Sequence, residues 1–210
     1  IPVVAIELKN QFTGQDINDS IEQWKSNRNP KEPLFHFDNR ILAYFGCDLY
    51  EAAMATELKG EKTFFMPFNQ GSNGAGEVGG SGNPQRDDDE YVTSYFWKDV
   101  LRRDVLLAIL QRFIMRQEET TISLIQDKHG KEKEISETKT KIIFPRYHQL
   151  DVVEKLIRDT EANGSGTNYL IQHSAGSGKS NSIAWLTYRL ASLHNKDNAN
   201  IFKGVFVVTD

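Results

Sequence analysis

The sequence predicts an α/β protein in two parts: a mixed strand-and-helix part, then a strand–loop–helix–strand unit on a parallel sheet. Three observations predict it. A Val- and Ile-rich run at residues 1–9 is followed by further short strand-like runs, separated by turn residues, up to Pro67. One long stretch, Trp97 to Arg116, carries an apolar stripe at helical spacing. Beyond Ile142, strand-like and helix-like segments alternate around a glycine-rich loop, as in a βαβ unit.

The elements follow in order. Residues 1–9 read as a strand ending in Glu7-Leu8-Lys9. Asp16 to Trp24 reads as a helix, because Ile17, Ile21 and Trp24 share one face. Asn27 to Pro33, with two prolines, is a loop. Arg40–Phe45, Tyr50–Glu57 and Thr63–Pro67 are short strand-like runs separated by turns, an antiparallel meander. Residues 71–84 hold six glycines and lead into the acidic run Asp87-Asp88-Asp89-Glu90, so 71–90 is expected to be a mobile loop. No Lys-Ser or Lys-Thr follows those glycines, which argues against a phosphate loop there.

Trp97 to Arg116 is expected to be one helix, with Val100, Leu101, Val105, Ala108, Ile109 and Phe113 as its stripe. Thr120 to Gln126 reads as a strand. Asp127 to Lys141 carries five lysines and three glutamates interleaved in sign, a solvated hairpin or linker rather than a DNA-binding patch. The domain boundary is placed there, giving residues 1–135 and 142–210. Gln149 to Arg158 is the next helix, Asn168 to Gln172 a short buried strand, Lys179 to about Leu193 a helix and Phe202 to Val208 a strand.

Composition bounds the function. Of 210 residues, 39% are hydrophobic and 26% charged, values of a globular chain that exclude wholesale disorder or a fibrous repeat. No uncharged apolar stretch approaches the roughly 20 residues of a membrane helix. The chain opens on a strand rather than a basic-then-apolar leader, and its single cysteine, Cys47, excludes an intramolecular disulfide and a cysteine-clustered zinc site. A cytoplasmic protein without a membrane partner is expected. With a net charge of −4, any binding to nucleic acid must come from a local basic surface.

The segment His173-Ser174-Ala175-Gly176-Ser177-Gly178-Lys179-Ser180 has the chemistry of a phosphate loop. Gly176, Ser177 and Gly178 let the backbone curl and turn N–H groups inward, and the helix starting near Lys179 adds its positive end. Lys179 is placed to reach the β- and γ-phosphates of ATP, and the Ser180 hydroxyl to bind Mg2+. The strict pattern wants glycine where His173 stands.

A second candidate is Glu-x-Lys. On a strand, Glu7 and Lys9 point to one face. Phosphodiester cleavage uses carboxylates to hold magnesium and gains from a lysine that steadies charge. The pattern also occurs at Glu57/Lys59 and Glu137/Lys139, and spacing alone does not choose among the three.

Two resemblances add to this. The Ala175-to-Ser180 loop preceded by Gln172-His173 resembles motif I of superfamily 2 helicases and translocases. Arg146-Tyr147-His148-Gln149 resembles their Q motif, which makes Gln149 the candidate for base recognition; a solvated glutamine at a helix start is the other reading. Phe206 to Asp210 is similar to the strand leading into motif Ia. The run Pro2-Val3-Val4-Ala5-Ile6-Glu7-Leu8-Lys9-Asn10 resembles the nuclease motif of the motor (R) subunit of type I restriction enzymes, in the PD-(D/E)xK class. The likeness continues through Gln23-Trp24-Lys25-Ser26-Asn27-Arg28, Phe35 to Phe45, Met54-Ala55-Thr56, Phe64 to Asn69 and the Trp97 helix, so it spans essentially the whole chain.

The resemblance implies a PD-(D/E)xK nuclease-like α/β domain followed by the start of a RecA-like P-loop domain. It selects Glu7 and Lys9 among the three pairs, with Glu7 a magnesium ligand, and adds Gln23 as a catalytic residue. It implies ATP-dependent translocation and cleavage of double-stranded DNA alongside methylation and specificity subunits. Two departures stand out: Asn27 occupies the place of the family's tyrosine, and no acidic residue precedes Glu7. From that missing acid and the missing second acidic motor motif, the chain by itself is expected neither to hydrolyse ATP nor to cut DNA. A P-loop kinase or ATPase with an N-terminal docking module is the alternative. Burial of Glu7 and Lys9 together separates nuclease from docking module.

Overall fold

The computed structural model describes residues 2–86, 90–126 and 132–208. They form a mixed α/β structure with a four-stranded mixed sheet and a separate antiparallel hairpin. In the first sheet β1 (Val4–Leu8), β2 (Ala43–Cys47), β3 (Ala52–Ala55) and β4 (Met66–Pro67) lie in sequence order. β1 runs parallel to β2, with α1 (Ile17–Ser26) in the connection; β2, β3 and β4 form the expected antiparallel meander.

β2 is buried along its whole length because both sheet faces are covered. Ala43, Phe45 and Cys47 enter the main core, while Tyr44 packs with Trp24, Ile41 and Leu58 on the α1 side. This alternation follows from the two-residue period of a strand. Register pairs Glu7 with Gly46 and Ala5 with Tyr44, which places Ala5, Glu7 and Lys9 on the α1 face.

The stretch from Trp97 to Arg116 is not one helix. A π-helical turn, Phe96–Val100, is followed by α2 (Arg103–Arg112), with Arg102 extended between them, and the chain is already in β5 (Met115–Gln126) from Met115. Val100 and Ile109 are both buried. Nine residues at about 100° each would set them roughly 180° apart on a straight helix. The break brings both to one core.

β5 pairs with β6 (Glu132–Ile143) over a long antiparallel hairpin, so the charged segment is largely strand rather than linker. Residues 127–131 lie outside the described residues. The main core is continuous across the hairpin: Phe144 packs on Phe45 at 5.7 Å between ring centroids, and Tyr147 on Tyr95 at 5.0 Å. α3 (Tyr147–Asn163) and α4 (Lys179–Ala191) pack on each other through Val153, Ile157, Trp185 and their neighbours. The Trp185 indole N–H donates to the Phe113 carbonyl at 2.8 Å, tying α4 to the end of α2.

The expected strands at 168–172 and 202–208 do not form, so the described residues contain no parallel sheet beside α3 and α4. A strand needs a neighbour for its backbone hydrogen bonds and cover for its apolar side chains. Neither segment pairs with a strand, and Leu170 and Phe206 are 94% and 95% exposed. Thr209 and Asp210, the end of the motif Ia likeness, lie outside the described residues. No helix among the described residues is long and apolar enough to cross a membrane.

Candidate functional site

Glu7, Lys9 and Gln23 meet at the crossing of β1 and α1. α1 is started by Asp16, whose carboxylate accepts from the Asn18 and Asp19 N–H groups in a capping box. Three bonds then seat the helix on the sheet. The Ile17 N–H donates to Asp48 at 2.9 Å, the Ser20 hydroxyl to the Glu7 carbonyl at 2.9 Å, and the Trp24 indole to the Phe45 carbonyl at 2.9 Å. Gly46 permits this approach, since a Cβ there would lie 2.6 Å from Ser20 Oγ. Gln23 is thereby brought to the strand, and Lys9 Nζ donates to its Oε1 at 2.5 Å.

Lys9 Nζ also lies 3.6 Å from Glu7 Oε1, while Arg28 donates to Glu7 Oε2 at 3.0 Å. The Lys9 and Glu7 side chains are 8% and 16% exposed. The other two Glu-x-Lys pairs stand on the surface, with Lys59 57% and Lys139 64% exposed. Asn27 caps the end of α1 and turns no side chain to Glu7. Arg28 takes that place from one residue further on. Its position at the end of the Gln23-to-Arg28 segment was the only sequence signal, because it lies beyond the helix, where periodicity stops.

Glu7 was expected to hold magnesium. Both its oxygens face cations instead, and among the described residues no three His, Cys, Asp or Glu side chains gather to hold a metal. Magnesium sites use one or two carboxylates with open oxygens. Here those oxygens are taken by Lys9 and Arg28, and no chemical step is assigned to a metal there.

The glycine-rich loop leads directly into α4. Gly176 and Gly178 have φ of +72° and +81°, a region open to glycine. Gly178 precedes the first helical turn, which has no side-chain cap; the Asn181 N–H bonds the Gly178 carbonyl at 3.0 Å, and the Lys179 and Ser180 N–H groups remain available to an anion. Lys179 Nζ folds back on the His173 and Ser174 carbonyls at 3.2 and 3.0 Å. Ser180 is exposed on the same turn. Ser177 Oγ and His173 Nδ1 are buried without a hydrogen-bond partner among the described residues. Free donors around a curled backbone fit a triphosphate, with Lys179 on its terminal phosphates and Ser180 as the residue that would hold magnesium.

Gln149 does not face an open site. It is 3% exposed; its amide donates to the Gly178 carbonyl at 2.8 Å and the Ser177 carbonyl at 3.3 Å, and accepts from the Arg146 N–H at 2.9 Å. The candidate base reader is thus used to hold the loop and to start α3. His148 Nε2 lies 3.0 Å from the Ser177 carbonyl and packs edge-on to His173, with ring centroids 4.9 Å apart. Burial holds both imidazoles below their ordinary range, with the nearby Lys179 charge adding to the effect on His173.

Beside this loop lies a cleft of about 650 Å³ between α3, residues 170–174 and the glycine-rich segment 70–79. That segment is closed by backbone bonds from Gly71 to Gly82 and Ser72 to Gly80, and joined to α3 by Gln70 to Tyr147 at 2.8 Å and Lys155 to the Ala75 carbonyl at 3.1 Å. The acidic positions 87–89 lie outside the described residues.

No protein-family model, no curated protein and no solved structure matches this chain.

Proposed function

We propose that this chain is the part of a type I restriction motor subunit that joins a PD-(D/E)xK nuclease-like domain to the first RecA-like lobe of a DNA translocase. The observation that carries the reading is the burial of Glu7 and Lys9 in one cluster, with Gln23 delivered to it by α1. A docking surface has no need to draw a carboxylate and a lysine side chain largely out of solvent together. In this reading the β1–α1 crossing meets double-stranded DNA. Lys9, positioned by Gln23, presents its remaining donors to a phosphate, and Glu7 orients both cations.

The Gly176–Ser180 loop binds ATP. Backbone N–H groups of the first turn of α4 and the Lys179 ammonium take the phosphates, while Gln149 and His148 fix the loop from behind. Magnesium bound at Ser180 would neutralise charge on the β- and γ-phosphates. Recognition of a DNA site and methylation fall to partner subunits, and the assembly works in the cytoplasm. Calorimetric titration with magnesium-ATP tests the loop. Saturable binding lost in Lys179→Ala is expected; the absence of heat at concentrations well above millimolar would refute it.

A further inference from the structure

Arg28 has no part in the site chemistry so far beyond its bond to Glu7. Its guanidinium carries five N–H donors in a rigid fork. One amino group reaches Glu7 Oε2 at 3.0 Å, and the guanidinium carbon lies 5.9 Å from the Trp24 ring centroid, a cation–π distance. Among the described residues no other acceptor takes its remaining donors. The side chain is 35% exposed, so the free edge of the fork reaches solvent beside Lys9 and Glu7. The charges make the cluster cationic: Lys9 and Arg28 share a single carboxylate partner, Glu7. A planar fork held at one end by a carboxylate, next to a lysine, with net positive charge, is the chemistry of phosphate recognition.

We infer that Arg28 binds a phosphodiester of the DNA strand at the Glu7–Lys9–Gln23 site, an inference that rests on the nuclease reading. Glu7 then acts as the arm that aims the fork, with the buried Trp24 ring within cation–π distance beside it.

The test is duplex DNA affinity across a salt series, without divalent metal, for the intact chain and four variants. Arg28→Ala is expected to weaken binding roughly tenfold, about the loss of one charge-assisted hydrogen bond. It should also reduce the slope of log affinity against log salt by about one. Arg28→Lys keeps the charge and should recover the slope but only part of the affinity. Glu7→Gln removes the negative charge beside the phosphate while its amide oxygen can still accept from the fork, so it should tighten binding. A purely structural Arg28–Glu7 pair would make Arg28→Ala and Glu7→Gln act in the same direction, and that result overturns the inference. Lys9→Ala separates the two levels. If it weakens binding and Arg28→Ala does not, Arg28 is no phosphate ligand although the nuclease reading stands. If neither matters, both fail. If Arg28→Ala acts alone, the phosphate lies away from Lys9 and the shared site is refuted. Thermal unfolding of each variant identifies loss through misfolding, and Glu7→Gln, a gain of affinity, cannot arise that way.

Discussion

Replacing Gly46 by alanine tests how α1 is seated on the sheet. The new Cβ would lie 2.6 Å from Ser20 Oγ, 3.2 Å from Ser20 Cβ and 3.5 Å from Ile17 Cδ1. Ser20 is fully buried and its hydroxyl is bonded to the Glu7 carbonyl. It cannot swing away without losing a bond worth about 1 kcal/mol. Overpacking of this kind costs about 1–3 kcal/mol. For a chain of this size that corresponds to a fall of roughly 2–4 °C in Tm per kcal/mol. The assay is denaturant unfolding of Gly46→Ala, Ser20→Gly and the double variant. Ser20→Gly removes both nearest atoms, at a cost of about 1 kcal/mol for glycine within a helix. Most of the Gly46→Ala penalty should vanish in that background, a non-additive coupling of contacting residues. An unchanged penalty in the double variant would refute the account of close approach.

Gly178→Ala combines a φ of +81° with a Cβ 2.5 Å from Gln149 Nε2, so it should abolish nucleotide binding in a titration while the β1–α1 site keeps its DNA affinity. His148 and His173 are both held below their ordinary 6.5. The unfolded chain therefore takes up more protons as acid is added. Stability from this pair should be complete above about pH 6.5 and decline as pH falls below it, and His148→Gln should flatten that decline in urea titrations. Burial pushes the Cys47 thiol up to about 11, and the residue is 1% exposed. It should resist a thiol reagent at mildly alkaline pH until the chain unfolds, and rapid labelling of the folded protein would contradict its place in the core.

Local patterning reached much of this structure. Ile17 and Trp24 marked the buried face of α1, and the turn around Gly60 marked the step from β3 to β4, whereas Gly46, which reads as a turn residue, lies within β2. The period of a strand put Glu7 and Lys9 on one face, but only register against β2 shows that this face meets α1. What local patterning missed depends on contacts distant in sequence. Gln149 could read as solvated or base-binding until the loop 28 residues on claimed its amide. The break before α2 follows from Val100 and Ile109 needing one core, a geometric conflict already present in their nine-residue spacing. Apolar content suggested strands at 168–172 and 202–208, yet strand formation depends on a pairing partner that composition does not reveal. Arg28 was passed over because nothing periodic distinguishes a residue just past a helix end.

The chain contains its own controls for the DNA-site reading, since its three Glu-x-Lys pairs differ in burial and in what meets them. Duplex DNA affinity should be compared for Lys9→Ala, Lys59→Ala and Lys139→Ala at one moderate salt concentration. Lys9→Ala, which removes the buried cation held by Gln23, should weaken binding several-fold, about the value of one charged contact, while the two exposed lysines leave it nearly unchanged. Equal losses from all three, or a silent Lys9→Ala, would contradict a DNA-facing site at Glu7, Lys9 and Gln23.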